Sequence, residues 1–323
     1  MLDTLLQPLE RVQQALFESL VQPALFHLGL MHLAEDAFVG VTWLLAGVLQ
    51  LVIIVTLFRA LEAWRPVEPV TDRAAIRTDI VYSLIHRLGL FRVAMFFTVD
   101  AVATEVLASQ LRWLGWQPWQ PDQLWPGVTD LPWVSLLIYL VLFDCVDYGL
   151  HRGQHGFRRW WQLHALHHSQ RQMTRWSDNR NHLLDDVFRD AAFVSVALLL
   201  GVGPGQFVAI VALTQLLESL SHANVKLHFG PVLGRVLVSP AYHRLHHAIG
   251  VGHESHGPGS LGGHNFAVLF PVWDIVCRTA RFDFTWEATG IRDQLPGEGA
   301  RDYGQGFWRQ QWLGLKRFIQ PAA

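Results

Sequence analysis

Cysteine is almost absent from this chain of 323 residues, which holds only Cys145 and Cys277. The two lie far apart in sequence in apolar contexts and allow at most one disulfide, so no disulfide framework organises the fold. Charge is scarce as well: 16% of residues are charged and the net charge is −2, with the basic residues distributed rather than run together. That balance gives no footing for nucleic-acid binding. No flavin or nicotinamide fingerprint and no CxxCH haem-attachment motif occurs, and the glycine-rich run 250–263 has neither a preceding strand nor a P-loop lysine. Internal repeats are also missing. The first 35 residues lack the basic start and small-residue cleavage site of a signal peptide, so no cleaved leader is expected.

What the chain has in quantity is apolar surface. It is 51% hydrophobic, with fourteen Trp and nineteen Phe, the balance of a membrane protein. Residues 37–58 carry no charge over 22 positions, long enough at about 1.5 Å per residue to cross a hydrocarbon core of about 30 Å. Arg59, Arg65, Arg73 and Arg77 follow at once and assign that end to the cytoplasm. A second span is expected over 88–107, although Arg92 and Asp100 lie inside it, and a third over 133–150. Between these two, residues 111–133 hold five Trp and four Pro and read as an aromatic belt on the opposite side. Apolar runs at 191–200 and 206–217, split by GVGPG, predict a helical hairpin that is either re-entrant or crosses with tilt. The periodic start, 1–36, predicts an amphipathic helix lying at the interface or docked on the protein. The tail, 284–323, contains a basic-aromatic helix read as interfacial.

Histidine carries the chemistry. Fourteen of seventeen fall after Leu150, and eight form three helix-face patterns. His151 and His155 are spaced i, i+4; His164, His167 and His168 are spaced i, i+3, i+4; and His243, His246 and His247 repeat that second pattern. Each spacing puts imidazoles on one helix face. A lone histidine on a helix is ordinarily a core or surface residue, but core packing seldom produces three such clusters. Imidazole suits Zn, Cu, Fe and Ni alike. A single tetrahedral ion is filled by four ligands, so eight convergent histidines favour two ions and, with open positions, oxygen chemistry. Asp144 and Asp147 precede His151 by seven and four residues on its face; they read either as acceptors that fix a ligand tautomer or as partners of nearby arginines.

The motifs HRGQH, HALHH and HRLHH, followed by HNFAVLFPVWD, resemble the fatty acid hydroxylase / sterol desaturase superfamily of integral membrane di-iron oxidases. The resemblance runs roughly from Arg77 to Thr279 and departs from the family pattern where Ala267 and Arg278 replace glycines and Cys277 replaces phenylalanine. It implies an all-α membrane bundle of three to five embedded helices with a cytoplasmic histidine-rich cap, occupying residues 37–283. It further implies His182, in an Arg-x-His context, and His222, after the last membrane helix, as additional ligands, and it adds Asn265 and Asp274 to the residues expected around them. Two Fe ions with O2 as co-substrate would hydroxylate or desaturate a lipid rising through an apolar channel. Hydroxylation of a lipid head group, a non-redox metal site and a transporter are the other readings. With no bound flavin, haem or nicotinamide expected, electrons would come from a separate ferredoxin- or cytochrome-type protein docking on the basic cytoplasmic face. The run 250–263, with His253, Glu254 and His256, is a candidate lid or head-group contact, or else an exposed loop.

Overall fold

Proline and glycine cut the apolar sequence into helices. A computed structural model describes residues 2–250 and 262–320, the side chains of residues 2–6 and 99–104 excepted; the candidate lid residues His253, Glu254 and His256 lie outside the described residues. Helices α1 (Leu2–Leu16) and α2 (Gln22–Leu28) lead into α3 (Met31–Trp64), whose 34 residues enclose the uncharged run and end ahead of Pro66. Gln13 of α1 donates to the Phe38 carbonyl (3.0 Å) and to Thr42 Oγ1 (2.7 Å), so this amphipathic helix is docked on α3.

Helix α4 (Arg73–Arg87) is capped by Asp72, which accepts from the Ala75 amide at 2.9 Å. Gly89 (φ 77°) then starts α5, residues 90–113, at a bend of 55°. The expected span over 88–107 falls on α5 from Leu90 onward, with the side chains of residues 99–104 outside the described ones. The apolar run begins at a left-handed glycine, and α4 with the start of α5 together reach the length and hydropathy of a span. Helices α6 (Pro132–Gly156) and α7 (Arg158–His168) carry the first two histidine clusters. Next come α8 (Leu183–Leu200), α9 (Pro204–Ser221), α10 (Pro240–His246), α11 (Val272–Val276) and α12 (Phe307–Ile319). No strand forms among the described residues, and one antiparallel bridge joins Ala248 to Thr289.

The architecture is therefore the expected all-helical one, with α3 and α6 long and apolar enough to cross a bilayer and the bent α4–α5 pair as a third candidate. The α8–α9 hairpin runs away from the histidines. At its turn, the Leu199 carbonyl accepts from the Trp119 amide (3.1 Å) and from Trp116 Nε1 (3.3 Å), which ties it to the tryptophan-rich loop at the far end of the bundle.

The core between these helices gathers Tyr139, Leu140 and Phe143 of α6, Phe193 of α8, Ile210 and Val211 of α9, and the incoming loop residues Val268 and Leu269. Lipid tails are as apolar as such a core, so close packing and internal polar pairs hold it together. Both operate where α3 meets α4. A Cβ on Gly47 would stand 1.7 Å from the Arg87 carbonyl oxygen, so only glycine allows the two backbones to meet there. The buried Arg87 guanidinium donates to Gln50 Oε1 (2.9 Å), Gln215 Oε1 (2.8 Å), Asp178 Oδ2 (2.6 Å) and Ser219 Oγ (2.8 Å), which joins α3, α4 and α9. Leaving such a buried charge without its carboxylate costs about 3–5 kcal/mol.

Candidate metal centre

Nine of the ten histidines singled out in the sequence converge. The last turns of α6 present His151 and His155, and α7 presents His164, His167 and His168. His222 sits at the C-cap of α9; His243 and His246 lie on α10, with His247 at its C-cap. All nine are buried. Their ring nitrogens form three groups, each within 4.8 Å: His151, His155, His164 and His168; His167, His222, His243 and His247; and His168, His246 and His247, which bridges the two tetrads.

Hydrogen bonds behind the rings decide which nitrogen faces inward. His151 Nδ1 donates to the Phe266 carbonyl (2.7 Å), His222 Nδ1 to the Glu218 carbonyl (2.8 Å) and His246 Nδ1 to the His264 carbonyl (2.7 Å), while His164 Nδ1 pairs with Asp185 Oδ2 (3.2 Å). A neutral imidazole that donates through Nδ1 carries its lone pair on Nε2. In the second tetrad such nitrogens crowd together: His222 Nε2 stands 3.1 Å from His167 Nε2 and 3.0 Å from His243 Nε2, which is 3.1 Å from His247 Nε2. Two metal–nitrogen bonds of roughly 2.1 Å at right angles would separate their nitrogens by about 3.0 Å. His164 Nε2, His167 Nδ1 and His243 Nδ1 are buried with no hydrogen-bond partner among the described residues. Burial, reinforced by the neighbouring imidazoles, holds His167 and His243 well below the ordinary imidazole range, and burial lowers His222 too. All three are neutral at physiological pH, the state a metal requires. The residues present therefore fit two cations held by nitrogen.

Around the rings the carboxylates divide the work differently from the expectation. Asp144 accepts from the Leu269 amide (2.8 Å), the Phe270 amide (3.0 Å) and Trp273 Nε1 (2.9 Å), so it fastens the loop entering the core instead of touching a histidine. Asp147 pairs with Arg189 Nε at 2.8 Å, the arginine reading of that residue. Asp274 accepts from the Phe266 amide (2.9 Å), the Ala267 amide (2.7 Å) and Tyr242 Oη (2.9 Å), and so sets the Phe266 carbonyl that receives His151. Asn265 closes the same loop: it donates to the Tyr242 carbonyl (3.1 Å) and accepts from the Arg281 amide (2.7 Å).

His182 is not brought to the cluster, which corrects its expected place among the ligands. Its Nε2 donates to the Gln311 carbonyl (2.8 Å) and its Nδ1 accepts from the Leu184 amide (3.1 Å), so both nitrogens are engaged in capping α8 and seating α12. Asp185, three residues on, escaped the sequence reading. Besides pairing with His164 it accepts from Gln154 Nε2 (2.9 Å) and Trp160 Nε1 (2.6 Å). The acidic pair Asp185-Asp186 in the first turn of a helix that is apolar from Ala191 onward was the available signal. The family pattern's glycine at position 278 also acquires a reason, because Arg278 has φ 61°, in the left-handed region. One cavity that reaches the histidines is lined largely by charged and polar side chains.

Residues 136–279 match the fatty acid hydroxylase family. Over 262 residues the chain is 28% identical to the ornithine lipid hydroxylase OlsE of Rhizobium tropici, covering 80% of this chain and 74% of that relative. Over 167 residues it is 25% identical to an alkylglycerol monooxygenase of Caenorhabditis elegans, covering 51% of this chain and 30% of that protein. No solved structure gives a significant match. The matched span contains all nine clustered histidines with Asp185, Asn265 and Asp274, so the metal centre lies within the part of the chain that is similar to the fatty acid hydroxylase family.

Proposed function

We propose that the protein is a membrane-bound lipid hydroxylase that uses O2 and two iron ions held by the nine clustered histidines. The observation that carries this reading is the pair of buried, all-imidazole tetrads bridged by His168, His246 and His247. Iron bound there would supply the redox chemistry of dioxygen cleavage. Overall, a lipid C–H bond, O2, two electrons and two protons give a C–OH bond and one water. The names of both relatives support hydroxylation of a lipid.

The protein's own residues bind and orient. The Phe266, Glu218 and His264 carbonyls and the Asp185 carboxylate hold four rings by Nδ1, which fixes the tautomer that leaves Nε2 to the metal. Burial of all nine rings keeps bulk water from the site. Electrons would arrive from a separate ferredoxin- or cytochrome-type protein. Arg152, Arg158 and Arg159, exposed beside the first two clusters, support an acidic donor docking at that end, and the positive flanks of the spans support a cytoplasmic position for it.

The test is the purified full chain in defined vesicles, measured for metal and for product. About two Fe per chain and one oxygen atom from labelled O2 in a lipid are expected. One Zn per chain with no oxygen inserted under reducing conditions would overturn the reading.

A further inference from the structure

Two adjoining cavities determine what can approach the histidines. The inner one, about 40 Å³, has five of the histidines on one side and Asp178, Asp186, Arg189 and Glu218 among the residues facing them; Val268 is its one apolar side chain. The outer one, about 80 Å³, shares those four residues and adds His86, Arg87, Arg92 and Asp190, with Trp43 and Phe193 also in its wall. Its charges alternate in sign. Arg87 meets Asp178 at 2.6 Å, Arg92 meets Asp190 at 2.5 Å, Arg189 meets Glu218 at 3.1 Å and His86 meets Asp186 at 3.3 Å.

Polar capacity is left over after these pairings. Asp178 Oδ1 and Asn179 Nδ2 have no hydrogen-bond partner among the described residues, and the two side chains, which line the outer cavity, belong to residues only 8% and 7% exposed. A buried acceptor and a buried donor left unpaired are costly and call for a ligand or water. A fatty-acyl chain lying here would strip water from every one of these groups and return no hydrogen bond. A volume of about 80 Å³ holds on the order of six water-sized groups, which suits a small charged moiety and excludes a sterol nucleus.

We propose that the outer cavity seats a compact zwitterionic lipid headgroup, so that the C–H bond presented to the histidines belongs to the headgroup or to the carbons beside it while the acyl chains stay in the bilayer. The ammonium takes Asp178 Oδ1 as its acceptor; the anionic group takes Asn179 Nδ2 and the Arg92 guanidinium as its donors. A carboxylate on an aminoacyl lipid and a phosphate on a phosphoethanolamine lipid present the same two charges. This assignment rests on the hydroxylase reading for its chemistry but not for its binding.

Binding is therefore measured first, on the iron-free full chain in detergent, with three soluble probes: N-hexanoyl ornithine, dihexanoyl phosphatidylethanolamine and uncharged dihexanoylglycerol. At least one zwitterion should bind about tenfold tighter than dihexanoylglycerol, and the preferred one identifies the anion. Asn179→Ala and, separately, Arg92→Gln should each erase most of that preference while the reconstituted protein takes up as much iron as the parent. The parent in vesicles containing the preferred headgroup should place labelled oxygen in the headgroup or the adjoining carbons, as read by fragment mass spectrometry. Equal binding of all three probes, or oxygen confined to the distal acyl chain, overturns the proposal. A standing headgroup preference with two irons bound and no oxygen in any lipid would instead overturn the hydroxylase reading and leave the cavity's assignment in place.

Discussion

The two histidine tetrads are alike in residue type and burial but are built in opposite ways. His151, His155, His164 and His168 come from consecutive helices within eighteen residues of sequence, and their rings lean on a carboxylate, Asp185, and on the loop carbonyl of Phe266. His167, His222, His243 and His247 come from three separated elements, and the ring of His222 leans on its own helix, at the Glu218 carbonyl. Local spacing can specify the first tetrad; the second exists only once α9 and α10 have been packed against α7. The first should thus be sensitive to what surrounds it, and the second to whether the bundle closes.

The largest expected effect comes from the rings themselves. His155→Ala in the first tetrad and His222→Ala in the second should each abolish oxygen insertion and lower bound iron, whereas His182→Ala should lose about 1 kcal/mol of stability through the cap of α8 and weaken iron binding no more than loosening Asp185 does. Metal analysis beside thermal unfolding separates these, and a loss of iron from His182→Ala as complete as that from His155→Ala would put that residue back among the ligands. Next comes a contrast in support. Asp185→Asn should weaken metal binding in the first tetrad by about 10–100-fold, while Glu218→Gln, whose backbone carbonyl still receives His222, should leave iron content unchanged. Equal losses in both would erase the distinction between the tetrads.

A pH experiment sharpens the same comparison. His167, His222 and His243 have lowered affinities for protons in the folded chain, so the unfolded chain binds more protons as acidity rises. Metal-free protein should keep its full stability above about pH 6.5, the unfolded imidazole value, and lose it progressively as pH falls below that. A flat unfolding midpoint between pH 7 and 5 would contradict burial of the second tetrad as neutral rings. The smallest effect concerns the loop that supplies Phe266 to the first tetrad: Arg278→Gly relieves a left-handed residue and should stabilise the protein by about 1 kcal/mol, with its iron content unaltered.

These particulars show where sequence reasoning reached and where it stopped. The i, i+3 and i, i+4 spacings identified eight rings because helical geometry fixes which side chains share a face, whatever lies elsewhere. Asp144 also shares the face of His151, but seven residues along a helix is about 10.5 Å, too far for a carboxylate to reach that ring. It meets Leu269 and Phe270, and no local pattern announces that loop. His182 was misjudged for a related reason. Its partner Gln311 lies 129 positions away, and a ring engaged at both nitrogens has nothing left for a metal. The bend at Gly89 was not legible in the hydropathy, which records composition, whereas a left-handed glycine records direction.

The seat of His182 has a further consequence, for the order in which the protein is made. Gln311 of α12 holds His182 by its carbonyl and the Leu183 amide by its side chain (2.8 Å), while Gly314 leaves room for the imidazole, since a Cβ there would lie 2.5 Å from the ring. That seat fixes the first turn of α8 and with it Asp185, the brace of the first tetrad. A nascent chain that has emerged only as far as Gly306 already owns all nine clustered imidazoles, yet it lacks the piece that anchors their carboxylate. Assembly of this centre therefore waits on α12, synthesised well after the last of its imidazoles.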